Sequence, residues 1–169
     1  ASKIHIPVAH VEAGLRNYDL TIPEEVNRVV ADKLSDYLFV PSQIAVENLK
    51  KEGITKNVFN TGDVMVDSLH YGLEIAKTES TILSDLGITK KGYCLATIHR
   101  AENTNDVGNL KEIMLALGEF TEKVILPIHP RTKKVLLENK IFIPLNVQMI
   151  PSLGYIDFIS LQSNARIIL

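Results

Sequence analysis

Seven short runs rich in branched apolar residues recur along the chain: IHIPVAHV (4–11), YLFVP (37–41), NVFNTG (57–62), YCLATIH (93–99), KVILPIH (123–129), NVQMIP (146–151) and ARIIL (165–169). They run continuously rather than alternating with polar residues, as strands buried on both faces of a sheet do. The segments between them have helical period. In EEVNRVVADKLSDYL, the residues Val26, Val29, Val30, Leu34 and Leu38 fall on one stripe, and Pro23 suits the first turn. SQIAVENLKKEG offers Ser42 as an N-cap and Gly53 as a stop, and NLKEIMLALGEF, PRTKKVLLEN and LGYIDFISLQSNA repeat the theme. Strand-helix alternation of this kind predicts an α/β fold with doubly wound parallel sheets.

The rhythm breaks once. From Asp63 to about Lys91 two helical patterns, VMVDSLHYGLEIAK and TILSDLG, follow one another without a strand between them. A junction between two units is expected there, near residues 64–70, with these helices packing on the second unit. The chain begins with Ala and stops on ARIIL, which reads as a buried strand with nothing after it, so an internal piece of a longer polypeptide is expected.

The formal net charge is -2 with both signs interspersed, which gives no broad footprint for nucleic acid or an anionic membrane. Cys94 is the only cysteine, so no internal disulfide forms, and its apolar setting GYCLATIH reads as a buried structural thiol in a reducing compartment. No apolar stretch approaches the roughly 18–20 residues that span a bilayer, and the first residues do not read as a signal peptide. A cytoplasmic location is expected. The chain carries no HExxH, cysteine pair, GxGxxG or GxxxxGK[ST], so neither a metal nor a cofactor is expected.

Chemistry concentrates at strand ends. In HVEAGLR, Glu12 follows an apolar strand, at the edge of a parallel sheet where ligands bind, and partial desolvation there raises a carboxyl toward a value useful for proton transfer. The structural alternative is a glutamate paired with Arg16 or His10. In IPEEVNR, Glu24 stands at a helix start, where the dipole favours an anion, and Glu24 and Arg28 are four apart on one face. ATIHRAEN crowds His99, Arg100, Glu102 and Asn103 at the end of one strand, and PIHPRTKK places His129, Arg131, Lys133 and Lys134 at the next. Such clusters can hold a diphosphate, or they can be capping loops with solvated bases.

HVEAGLR, PEEVNR with the following LSDYLFVPS, TGDVMVDSL, TIHRAEN, PIHPR and YIDFISLQSNARIIL stand in an order and at spacings that resemble the non-hydrolysing UDP-N-acetylglucosamine 2-epimerase family. The resemblance covers essentially the whole chain. It implies a GT-B-like fold, with residues 1–66 as the C-terminal part of one Rossmann-like domain and 67–169 as the N-terminal part of a second. It also implies a UDP-sugar substrate, no cofactor, a homodimer as the full-length protein and a place in the supply of precursors for cell-surface polysaccharide. The implied reaction inverts C2 by eliminating UDP to 2-acetamidoglucal and adding it back. By the same resemblance Glu12 and Glu24 match acid/base carboxylates, Arg28 supports the site, and His99 lies by the diphosphate with Arg100. His129 and Arg131 would line the second-domain side, and Phe158 matches an aromatic residue near the uracil. The family's basic N-terminal loop, an aspartate thought to share the proton chemistry and a phosphate-binding serine loop would lie outside these residues. Two other classes share the sequence features: a GT-B glycosyltransferase using a UDP-sugar donor, and a non-catalytic nucleotide-sugar binding module.

Overall fold

The computed structural model of the chain describes residues 1–98, 103–104 and 106–169. It contains two compact units, Ala1–Ser68 and Leu69–Leu169.

In the first unit a 3-10 turn, Ser2–Ile4, precedes β1 (Ala9–Val11), α1 (Pro23–Leu34), β2 (Tyr37–Val40), α2 (Gln43–Lys51) and β3 (Val58–Asn60). The strands form one parallel sheet in the order β1-β2-β3, with His10 opposite Leu38 and Leu38 opposite Val58. Parallel pairing brings the C-terminal ends of all three to one edge. The Ser42 cap forms as expected, its hydroxyl accepting from the Ala45 amide at 3.3 Å. The core is small: Ala13, Leu38, Val40, Ala45 and Leu49 join one face of the sheet to α2.

Burial on both faces, expected from the apolar runs, does not hold in this unit. Phe39 and Phe59 stack at 5.6 Å on the other face, and Phe59 stays exposed, as does Val11. On α1, Val26, Val30 and Leu34 are exposed, and Leu38 belongs to β2 rather than to the helix. The residues that α1 buries are Glu25 and Asp32.

α3 (Val64–Glu79) runs from the first unit into the second, followed by α4 (Ile82–Asp85), β4 (Tyr93–Leu95), α5 (Val107–Gly118), β5 (Lys123–Ile128), α6 (Pro130–Glu138), β6 (Val147–Pro151), α7 (Tyr155–Asn164) and β7 (Ile167–Ile168). All strand pairs are parallel, in the order β6-β5-β4-β7. Here two-sided burial holds for the central strands. Because side chains alternate between faces, Tyr93, Leu95 and Ile125 pack with Ile82 and Leu161, whereas Cys94, Val124 and Leu126 pack with Leu110, Met114 and Leu136. Helices thus cover both sides of the sheet. Cys94 is the buried free thiol that its apolar setting implied. The buried Tyr93 hydroxyl donates to the Leu161 carbonyl at 2.6 Å, and burial pushes its pKa up to about 12. Among the described residues, no helix is long and apolar enough to cross a membrane.

Candidate functional site

Glu12 follows β1 directly, at the C-terminal edge of the first sheet, with φ at +66°. That left-handed conformation costs a residue with a side chain about 1–2 kcal/mol, so neighbouring contacts must impose it. Two do. The Ala13 amide donates to the Phe39 carbonyl at 3.0 Å, and the Gly14 amide donates to Asp32 Oδ2 at 3.1 Å. At Gly14, also left-handed, a Cβ would lie 2.5 Å from the Ala45 carbonyl oxygen, so only glycine lets the chain run this close to α2.

The pairing of Glu12 with Arg16 or His10 is not formed. Both of those residues turn to Asp32 instead: His10 Nδ1 lies 2.6 Å from Oδ1, and Arg16 Nη2 lies 2.7 Å from Oδ2. Arg16 also donates from Nε to Glu52 Oε1 at 2.6 Å and from Nη2 to Oε2 at 2.9 Å. Glu12 is partly buried and makes no hydrogen bond or ion pair within the described residues.

Glu24 is exposed in the first turn of α1, and the expected pair with Arg28 is replaced. Arg28 Nη1 donates to Glu25 Oε2 at 3.3 Å, because Glu25, three residues away, is the glutamate turned inward. Glu25 is 1% exposed and accepts from the amides of Asn17 at 3.2 Å and Tyr18 at 3.0 Å. The Tyr18 phenol donates to Asn48 Oδ1 at 2.7 Å, and Asn48 Nδ2 donates to the Gly14 carbonyl at 3.0 Å. Glu25, Asp32, Asn48 and Glu52 thus pin the connection between β1 and α1. Sequence reading passed over all four. The available signal was the spacing of Glu25, Arg28 and Asp32, which shares one helix face roughly opposite the apolar stripe.

Burial pushes the Glu25 carboxyl up, but the Tyr18 and Asn17 amides, Arg28 and the charge of Arg16 outweigh it, so its pKa lies below that of an ordinary glutamate. The Arg16 guanidinium holds Glu52 down against the opposing effect of burial. Arg16 is raised in turn, chiefly by its hydrogen bond to Glu52, against desolvation and with help from Asp32. Below the ordinary value of 4.5 the unfolded chain therefore binds more protons at these two sites than the folded unit does. Their stabilisation is complete above that pH and is lost as pH falls through the lower folded values. The urea midpoint of the full-length protein is expected to decline on acidification from about pH 6 to about pH 3. Glu52→Gln should make that decline shallower; an unchanged slope in the variant would exclude Glu52 as a contributor.

In the second unit, His129 follows β5 and caps α6, its Nδ1 accepting from the Arg131 amide at 3.2 Å. That contact leaves Nε2 to carry the proton of the neutral ring. Arg131 lies in the first turn of α6. A cavity of about 470 Å³ opens beside them, lined by Ile128, Pro130, Lys133, Met149, Ile150 and Ser152 among others, at the C-terminal ends of β5 and β6. That is where a parallel α/β sheet holds its ligand. A larger hollow of about 710 Å³ lies by α3, α4 and α7, away from those strand ends. Its Ser84 and Ser163 hydroxyls donate to carbonyls of nearby residues, so it offers few convergent polar groups. Phe158, on α7, is partly buried against the Ile82, Tyr93 and Leu161 cluster. His99 and Arg100 lie outside the described residues. Among the described residues, no group of three His, Cys, Asp or Glu side chains could hold a metal ion.

The family model for UDP-N-acetylglucosamine 2-epimerase matches residues 1–169. A UDP-N-acetylglucosamine 2-epimerase homolog of Methanococcus maripaludis is 49% identical, over 99% of this chain and 48% of its own length. The UDP-2,3-diacetamido-2,3-dideoxy-D-glucuronate 2-epimerase of Pseudomonas aeruginosa is 41% identical, over 100% of this chain and 48% of its own. Among solved structures, the Methanocaldococcus jannaschii UDP-GlcNAc 2-epimerase in complex with UDP-GlcNAc and UDP superposes with a TM-score of 0.85 at 40% identity, covering 99% of this chain and 49% of that one. The chain spans about half the length of the relatives it matches. The α/β class with parallel sheets expected from the sequence agrees with these structures.

Proposed function

Since the chain belongs to the UDP-N-acetylglucosamine 2-epimerase family, we propose that the whole protein interconverts UDP-N-acetylglucosamine and UDP-N-acetylmannosamine. A carboxylate removes the C2 proton as the C1–O bond breaks and UDP departs with the bonding pair. UDP then adds back to the 2-acetamidoglucal after a carboxylic acid protonates C2 from the opposite face. Glu12 and Glu24 serve as the acid/base carboxylates, and Arg28 supports them. His99, Arg100, His129 and Arg131 answer the charge of the diphosphate, where a preorganised cation stabilises the departing group most effectively. Phe158 lies by the uracil. The protein works in the cytoplasm as a homodimer and supplies precursors for cell-surface polysaccharide.

The observation that carries this reading is the Glu12 carboxylate: partly buried at a parallel-sheet edge, with no partner among the described residues, while four other polar side chains fix the loop around it. A carboxylate held at that edge with no side chain or amide on its oxygens is open to a ligand. The Pseudomonas relative supports a second substrate reading, an oxidised diacetamido UDP-sugar inverted at the same carbon. Incubating the full-length protein with each sugar in deuterated water, and following C2 by proton NMR, tests both. Deuterium at C2 with appearance of the epimer is the expected result for the true substrate. Transfer of sugar to an acceptor without exchange would instead favour a glycosyltransferase, and binding alone a nucleotide-sugar module.

A further inference from the structure

The loop between β1 and α1 holds Glu12 in a backbone conformation that an unconstrained glutamate avoids, and beside its contacts to β2 and α2 it has two fixed points on α1. Asp32 grips residues on both sides of Glu12: it meets His10 Nδ1 at 2.6 Å before it, and after it accepts from the Gly14 amide at 3.1 Å and Arg16 Nη2 at 2.7 Å. Glu25 takes the amides of Asn17 and Tyr18, farther along the same loop. The two carboxylates are seven residues apart, so two helical turns place them on one face, and each is 1% exposed.

An inward helix face of this size is ordinarily apolar. Well-packed apolar residues commonly serve stability as well as buried charges do, because desolvation offsets the attraction between the charges. What apolar residues cannot do is accept from named backbone amides. We propose that Asp32 and Glu25 are positioning residues, a two-point clamp by which α1 sets the direction of the Glu12 carboxylate. The inference rests on the reading of Glu12 as an acid/base group. It gives the buried face of α1 a role in turnover rather than in substrate affinity.

The test uses the full-length protein and UDP-N-acetylglucosamine in deuterated water. Wild-type exchange at C2 is measured first, and its absence overturns the Glu12 reading and this inference together. With exchange present, Asp32→Asn and Glu25→Gln are each expected to lower kcat by about tenfold to a hundredfold, as small displacements of a reacting group do, with KM within about twofold of wild type. Glu52→Gln is the comparison: it removes a carboxylate from the same Arg16 but touches no loop amide, so it should lower the urea midpoint with a smaller fall in kcat than either clamp variant. A wild-type kcat in Asp32→Asn and Glu25→Gln, or a fall in all three variants that follows the urea midpoint, overturns the clamp and leaves the Glu12 reading standing. Should a variant fail to fold, amide exchange in the wild type decides: protection of Gly14, Asn17 and Tyr18 supports the clamp, and solvent-like exchange at these amides overturns it.

Discussion

Glu12→Gln in the full-length protein is expected to slow C2 proton exchange by about 10²–10⁴-fold, the usual contribution of a positioned acid/base group. Glutamine keeps the shape and hydrogen-bonding reach of glutamate and loses only the ability to take up or release the proton. Because Glu12 has no partner among the described residues, the substitution strands no buried donor, and the change in stability should stay within about 0.5 kcal/mol. The combination is diagnostic: a large kinetic loss on an unaltered fold. Glu24→Gln differs in a readable way, since its carboxylate sits exposed in the first turn of α1 and its loss also removes about 0.3–1 kcal/mol of helix-dipole stabilisation. Exchange at the wild-type rate in Glu12→Gln would sink the assignment of that residue to the reacting centre. Equal loss in both glutamine variants would mean that each handles a proton on one face of C2.

The difference between these two glutamates also shows what the sequence could and could not convey. Strand-helix alternation was legible because each apolar run is bounded by turn chemistry, and in the second unit Cys94, Val124 and Leu126 are buried as that pattern requires. Local signals held too. Ser42 caps α2, and Gly53 at φ +78° follows its end. Such features depend on a few neighbouring residues, so a linear reading reaches them.

The orientation of α1 was not legible, and the candidate site depends on it. Val26, Val30 and Leu34 form the better apolar stripe, and periodicity alone turns that stripe inward. In the fold, the opposite face meets the β1–α1 loop, whose free amides at Gly14, Asn17 and Tyr18 need acceptors. Carboxylates at positions 25 and 32 supply them. Glu24 and Glu25 are adjacent and chemically identical, yet one turns to solvent and the other is sealed, because successive helical residues point about 100° apart. The partners of Arg16 were hidden for a related reason: Asp32 and Glu52 are distant in sequence, and only the packing of α1 and α2 around one loop brings them together.

Arg16→Leu is expected to cost about 3–5 kcal/mol, the usual consequence of removing one member from a buried ionic network. The Arg16 and Asp32 side chains are 1% and 0% exposed, so the leucine would leave Asp32 with only the His10 ring and the Gly14 amide as partners and deprive Glu52 of both hydrogen bonds. Arg16→Lys should recover only part of the loss, since an ammonium cannot present the planar fork that serves two carboxylates at once. Acid provides a check that a packing defect would not reproduce. In the wild type, Glu52 is held below its ordinary pKa by Arg16, so lowering the pH removes stability; in Arg16→Leu that depression is gone and protonation relieves unpaired charge. The gap between the two proteins should therefore be widest near neutral pH and narrow on acidification toward about pH 4. Urea midpoints at the two pH values, together with deuterium uptake by the peptide spanning residues 12–22, would measure it. A gap that stayed constant with pH would assign the loss to missing side-chain volume and not to charge, because only the ionic contribution changes as carboxylates take up protons.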